Sequence, residues 1–204
     1  MNNAGILAAG PIELADLTHA RAVFEVNFFG ALEVTQRFLP LLRASRGRVI
    51  NMSSLSGRFA FPFVGVYAAT KHALEAASEA LRRELIHTGV DVILIEPGSI
   101  QTPIWDNLEA LDMKYFQGTD YERLMPVVQE MAVRGGRKGL PVERVSRAVY
   151  RAVSTRRPPA RIPVVASRPR WFLQRMLPAR VWDRLIGRLL ARIDSGVKVE
   201  SPFS

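Results

Sequence analysis

The chain has 204 residues, 48% hydrophobic and 23% charged, with no cysteine. That balance fits one globular domain whose folding buries roughly 70% of the unfolded surface, and the missing thiols exclude disulfide scaffolds, thiolate metal sites and cysteine nucleophiles. The net charge of +9 is lopsided: residues 1–150 hold 16 Lys/Arg and 16 Asp/Glu, whereas residues 151–204 hold 12 against 3, so 12 − 3 = +9. Arginine dominates this basic end, which reads either as a solvated surface or as a face for an anionic partner. No apolar run reaches the roughly 18 residues of a membrane span. The opening residues lack the basic and apolar regions of a secretory leader, so a cytoplasmic protein is expected.

In chain order, Thr18 is the expected cap of a helix running to Leu42, with Val23, Val26, Leu32, Val34 and Phe38 interleaved with charge. Residues 48–52, a β-branched run after Gly47, read as a buried strand. Val64 to His87 is rich in Ala, Leu and Glu and reads as a long helix stopped by Gly89. Residues 90–95 form a second buried strand, ended by Pro97-Gly98. Residues 99–140 show no clear period. A helix over about 142–154 and an edge strand over 161–165 follow, the latter because Pro163 cannot donate to a ladder. From Trp171 to Ile193 two short amphipathic helices break at Pro178. Apolar strands separated by helices imply an α/β domain with a parallel sheet and right-handed crossovers.

The chemistry concentrates between Arg48 and Lys71. Tyr67 and Lys71 are four apart at the start of the long helix, so they share one face. A nearby ammonium favours the phenolate and is expected to lower the tyrosine pKa from about 10, making Tyr67 a general acid/base. Ser54, at the carboxyl end of the 48–52 strand, is placed to hydrogen-bond the same substrate oxygen. Parallel α/β sheets bind ligands outside those ends. A Tyr-x-x-x-Lys pair alone is a weak motif, and an ordinary surface pair satisfies it.

Other segments raise its weight. Asn2-Asn3-Ala4-Gly5, Asn27 in Val-Asn-Phe-Phe-Gly, Ser54 thirteen residues before Tyr67, and Pro97-Gly98-Ser99-Ile100-Gln101-Thr102 follow in order. On these motifs the chain resembles the short-chain dehydrogenase/reductase family of Rossmann-like, doubly wound enzymes. The resemblance implies NAD or NADP as cofactor and hydride exchange with a carbinol or carbonyl carbon. It assigns Tyr67, Ser54, Lys71 and Asn27 as catalytic, Asn27 serving a proton relay through water. It assigns Asn2, Ala4, Gly5, Tyr67, Lys71, Pro97, Gly98, Ile100 and Thr102 to cofactor binding, Lys71 through the nicotinamide ribose. It also implies a homo-oligomer.

The family's TGxxxGxG turn, about 80 residues before the NNAG segment, is absent from these 204 residues. The expectation is therefore a chain representing the C-terminal half of the fold. Residues 1–165 are read as a partial catalytic domain and 166–204 as a basic extension. The competing reading is a truncated, inactive chain acting only as an interaction or membrane-surface protein. His19, His72 and His87 lack metal-ligand spacing, and no G-x-S-x-G elbow occurs, so neither a metal site nor a serine hydrolase is expected. Phe59, Phe61 and Phe63 read equally as a substrate-pocket wall or as core. Trp105, Met113, Tyr115 and Phe116 are lid candidates or loop anchors. These aromatics favour a small apolar alcohol or ketone substrate. Residues 170–192 are basic and amphipathic, as in helices that lie on anionic membranes, and nucleic-acid binding is not expected, because no recognition motif is present.

Overall fold

The computed structural model describes residues 1–196. They form three strands, β1 (Arg48–Met52), β2 (Asp91–Pro97) and β3 (Arg161–Val164), in the parallel order β1-β2-β3. Arg48 lies opposite Asp91, and Leu94 lies opposite Arg161. Asn2 runs beside β1 as a one-residue extension of the sheet, bridged to Asn51. The expected α/β class and parallel sheet are both present, and β3, with its proline, is an edge strand.

Helix α1 (Leu17–Phe24) passes through a π-helical turn at Glu25–Phe29 into α2 (Gly30–Ser45) without a break. Its cap is Asp16, which accepts from the Thr18 N–H at 2.8 Å, and not Thr18 as expected. A carboxylate two residues earlier captures that amide, so the chain turns sooner. Helix α3 (Gly65–Glu84) follows, and Gly89 then turns the chain with a positive φ of 76°.

Contacts divide the described residues into two compact units, 1–98 with 141–164 and 99–140 with 165–196. The first holds the sheet, α1 to α3 and α6 (Glu143–Ser154). Its core is made by Val49, Val92, Ile93, Leu94 and Ile95, with Leu85 and Val90, each apolar side chain contributing roughly 1.5–3 kcal/mol of burial. β2 reads as a continuous apolar run because both faces are covered. The face that α3 buries is unusual: besides Ala68 and Leu74 it carries Thr70, Lys71, Glu75 and Ser78.

The second unit holds α4 (Ile104–Glu109), α5 (Leu124–Arg137), α7 (Arg168–Met176) and α8 (Ala179–Asp194). The stretch without expected periodicity thus contains a 14-residue helix. Pro126 sits in its first turn, where no N–H partner is lost. Gly135 and Gly136 near its end dilute the apolar pattern. Gly136 is required by close approach, because a Cβ there would fall 2.1 Å from the Trp105 ring.

Candidate functional site

The site is built at the carboxyl end of β1. Ser53 continues the strand, its N–H donating to the Ile95 carbonyl. Ser54 is extended (φ −161°), and its Oγ accepts from the Ser56 N–H at 3.1 Å, opening a short turn over residues 55–57. Gly98, just past β2, donates to the Val164 carbonyl, and a Cβ on it would come 3.2 Å from Leu55. The residue just past β2 therefore lies against the turn that follows Ser54.

Tyr67 and Lys71 project from the first turns of α3 as their spacing predicts. The Ser54 side chain lies at the Tyr67 phenol and acts to lower its pKa. Lys71 Nζ lies 5.7 Å from the Tyr67 ring centroid and donates to the Met52 carbonyl at 2.9 Å. With one acceptor among the described residues for three ammonium protons, Lys71 has donors to spare. Burial lowers Lys71 from 10.5 to about 8. The same cause raises the Tyr67 phenol above its ordinary 10, and the Ser54 side chain opposes that rise. The expected lowering of Tyr67 by Lys71 is overturned: burial raises the phenol, and the opposing effect comes from Ser54.

Asn27 sits in the π turn and is 1% exposed. Its Oδ1 accepts from the Ile6 N–H at 2.8 Å, and its Nδ2 donates to the Ile6 carbonyl at 2.9 Å and to Thr70 Oγ1 at 3.0 Å. Thr70 in turn donates to the Tyr67 carbonyl at 2.7 Å. The amide thus clamps the residues after Gly5 to the helix of Tyr67. Gly5 itself approaches both: a Cβ there would lie 3.4 Å from Asn27 Oδ1 and 3.5 Å from Lys71 Nζ. Asn3, Ala4 and Gly5 are exposed. Asn2 lies elsewhere, its Nδ2 donating to Asn51 Oδ1, Thr35 Oγ1 and the Ala31 carbonyl.

The structure brings Ser54, Tyr67, Lys71, Asn27, Gly5 and Gly98 into the first unit. Ile100 and Thr102 belong to the second, where Ile100 is 7% exposed and its carbonyl accepts from Trp105 Nε1. Of the aromatics, Phe63 is buried with a left-handed φ of 66°, and Phe59 and Phe61 meet edge to face at 4.6 Å. Phe116 is 1% exposed and Tyr115 60%. Thr70 escaped the sequence reading although it stands three residues after Tyr67. So did Arg161, which pairs with the buried Glu75 and with Glu96 at 2.7 Å. The signal for that cluster was present: Glu96 interrupts the apolar run of β2.

A spare ammonium, a side-chain-free approach at Gly5 and an exposed backbone leading to it fit the ribose end of a nucleotide cofactor. A phenol, a hydroxyl and an ammonium lie together at the ends of parallel strands, where such folds bind ligands, and groups of these types can exchange protons. A short chain dehydrogenase family model matches residues 1–112. The chain is 37% identical over 200 residues to the NADPH-dependent 3-dehydrocapnine reductase of Ornithobacterium rhinotracheale, covering 95% of this chain and 70% of that one. It is 41% identical over 151 residues to the estradiol 17-beta-dehydrogenase 2 of Rattus norvegicus, covering 65% of this chain and 39% of that one. A short chain dehydrogenase/reductase from Burkholderia phymatum, crystallised with NAD, has the same fold: TM-score 0.72 at 23% identity, covering 100% of this chain and 68% of that one. The chain belongs to the short-chain dehydrogenase/reductase family, whose members are nicotinamide-dependent oxidoreductases.

Proposed function

We propose that this chain carries the catalytic residues of a dehydrogenase/reductase that interconverts an apolar secondary alcohol and its ketone. The observation that supports the reading most is the Lys71 Nζ 5.7 Å from the centre of the Tyr67 ring, with the Ser54 side chain at the phenol of that ring. When bound, NAD or NADP supplies the hydride acceptor or donor. In the oxidation direction Tyr67 Oη takes the hydroxyl proton and Ser54 Oγ holds the oxygen. Lys71 Nζ, with donors to spare, would favour the phenolate and would hold a ribose hydroxyl of the bound cofactor. Asn27 holds the segment after Gly5 in place and offers the remaining lone pair of Oδ1 to a relay water. Ala4, Gly5, Pro97 and Gly98 would line the bound cofactor, with Asn2 anchoring the first two to β1. Ile100 and Thr102 join the set on the sequence resemblance alone.

Relatives named for 3-dehydrocapnine and for estradiol support a ketone or secondary alcohol as the reacting group, and Phe59 and Phe61 support an apolar one. The reading divides the chain into a catalytic region, 1–165, and a basic extension, 166–204. It includes a homo-oligomer, a cytoplasmic protein and peripheral membrane contact through residues 170–192. Among the described residues no helix is long and apolar enough to cross a membrane.

The test is a titration of the chain with NADH and NADPH, followed by nicotinamide fluorescence. Saturable binding in the micromolar range is expected from one of them. Tyr67→Phe should keep that binding while lowering turnover of an apolar ketone by at least about 10²-fold. Absence of binding to the folded chain would overturn the reading.

A further inference from the structure

We propose that α7 and α8 form a docking surface for an anionic membrane, an inference that deepens the peripheral contact just proposed. Arg180, Arg184, Arg188 and Arg192 follow one another every four residues along α8. Each step turns the helix by about 40°, so the four make a stripe roughly 120° wide and about 18 Å long. All four are exposed, and none forms a salt bridge among the described residues. Ile193, the buried residue of α8, lies about 160° round the helix from the middle of that stripe, so the arginines point away from their own unit's core. Residues 168–194 hold seven Arg against Asp183 and Asp194, 7 − 2 = +5.

Charge alone would suit any polyanion. The second observation is apolar. Phe172, Leu173 and Met176 fall within about 100° of one another on α7, and they are 60%, 60% and 66% exposed. A nucleic acid would satisfy the guanidinium groups and leave these three side chains in water. The boundary between lipid headgroups and acyl chains takes both: phosphates receive the arginines and hydrocarbon receives the phenyl, isobutyl and thioether groups. A lipophilic substrate also concentrates there, which ties the surface to the proposed chemistry.

The test is co-sedimentation of the full chain with vesicles of phosphatidylcholine alone or with about 30% phosphatidylserine, at low and high salt. Binding is expected on the anionic vesicles only, and it should weaken as salt shortens the screening length. Each arginine near such a surface is worth about fivefold in partition, so Arg184→Gln with Arg188→Gln should lower it about 30-fold. The double lysine variant should keep it, and Phe172→Ser with Leu173→Ser should weaken it on the same vesicles. Circular dichroism on each variant checks that the helices persist. Equal partition onto neutral and anionic vesicles, no partition onto either, or an unaffected glutamine variant overturns the proposal. Tighter binding to a DNA duplex than to vesicles overturns it too, and assigns the stripe to nucleic acid. NADH fluorescence on the same preparation separates the two readings: lost cofactor binding with intact vesicle binding sinks the enzymatic one alone, and the reverse sinks the docking surface alone.

Discussion

Tyr67 and Lys71 are held by opposing effects. Burial resists a charge on either group, raising the phenol and lowering the ammonium to about 8, while the Ser54 side chain favours the phenolate. Burial therefore moves the two groups apart, the ammonium down towards neutrality and the phenol up away from it, with the Ser54 side chain opposing the second shift. Stability follows the same logic. Lys71 binds its proton less tightly folded than unfolded, so between about pH 8 and pH 10 the unfolded chain holds more protons and stability rises with pH. The gain from this 4%-exposed group is on the order of 3 kcal/mol. Above pH 10 the raised Tyr67 works the other way, because the unfolded phenol ionises first. Urea melts at pH 7.5 and pH 9.5 should show the rise in the native chain and its loss in Lys71→Met; a slope unchanged by that substitution would refute the burial account.

Between elements, one cluster joins α3, β2 and β3. Arg161 pairs with Glu75, 4% exposed, with Glu96, 0% exposed, and with Glu79 at 3.5 Å. Burial and the neighbouring Glu75 raise the Glu96 carboxyl, and Arg161 opposes the rise. A carboxyl bound more tightly by its proton in the fold loses stability as pH rises through its range, so mild acid favours this cluster. Arg161→Met leaves two buried carboxylates unpaired and is expected to cost about 3–5 kcal/mol. Glu96→Gln keeps the shape and removes the repulsion, so it should cost under about 1.5 kcal/mol. Thermal unfolding of both variants checks the ordering, and equal losses would count against it. The cluster was hard to read in the sequence because Arg161 is separated from Glu75 by 86 positions and from Glu96 by 65. Tyr67 and Lys71 were legible because four residues on a helix fix a shared face before any tertiary contact exists. Thr70 was not: a threonine in a helix declares no partner, and its partner Asn27 lies 43 positions away.

Across the chain, the strands and the parallel sheet were legible as alternation of apolar runs with helical segments. The helix α5 was not, since proline and paired glycines mask its period and only packing restores it. α8 packs on α5 within the second unit, and Ile193, 5% exposed, is its buried anchor. Ile193→Ala is expected to destabilise that packing by about 2–5 kcal/mol. Hydrogen exchange should then accelerate in α5 and α8, whose amides depend on that contact. Unchanged exchange there would mean that the helices hold without their apolar contact.

The π turn at residues 25–29 makes the site depend on counting as well as chemistry. Removing one residue from it would let α1 and α2 merge into an ordinary helix, turned by about 100°. Every side chain would survive in type, yet the Asn27 amide would swing off Ile6 and Thr70, and Gly5 would lose its hold beside Lys71. In a family compared by motif letters, the length of this turn is thus information that no letter carries.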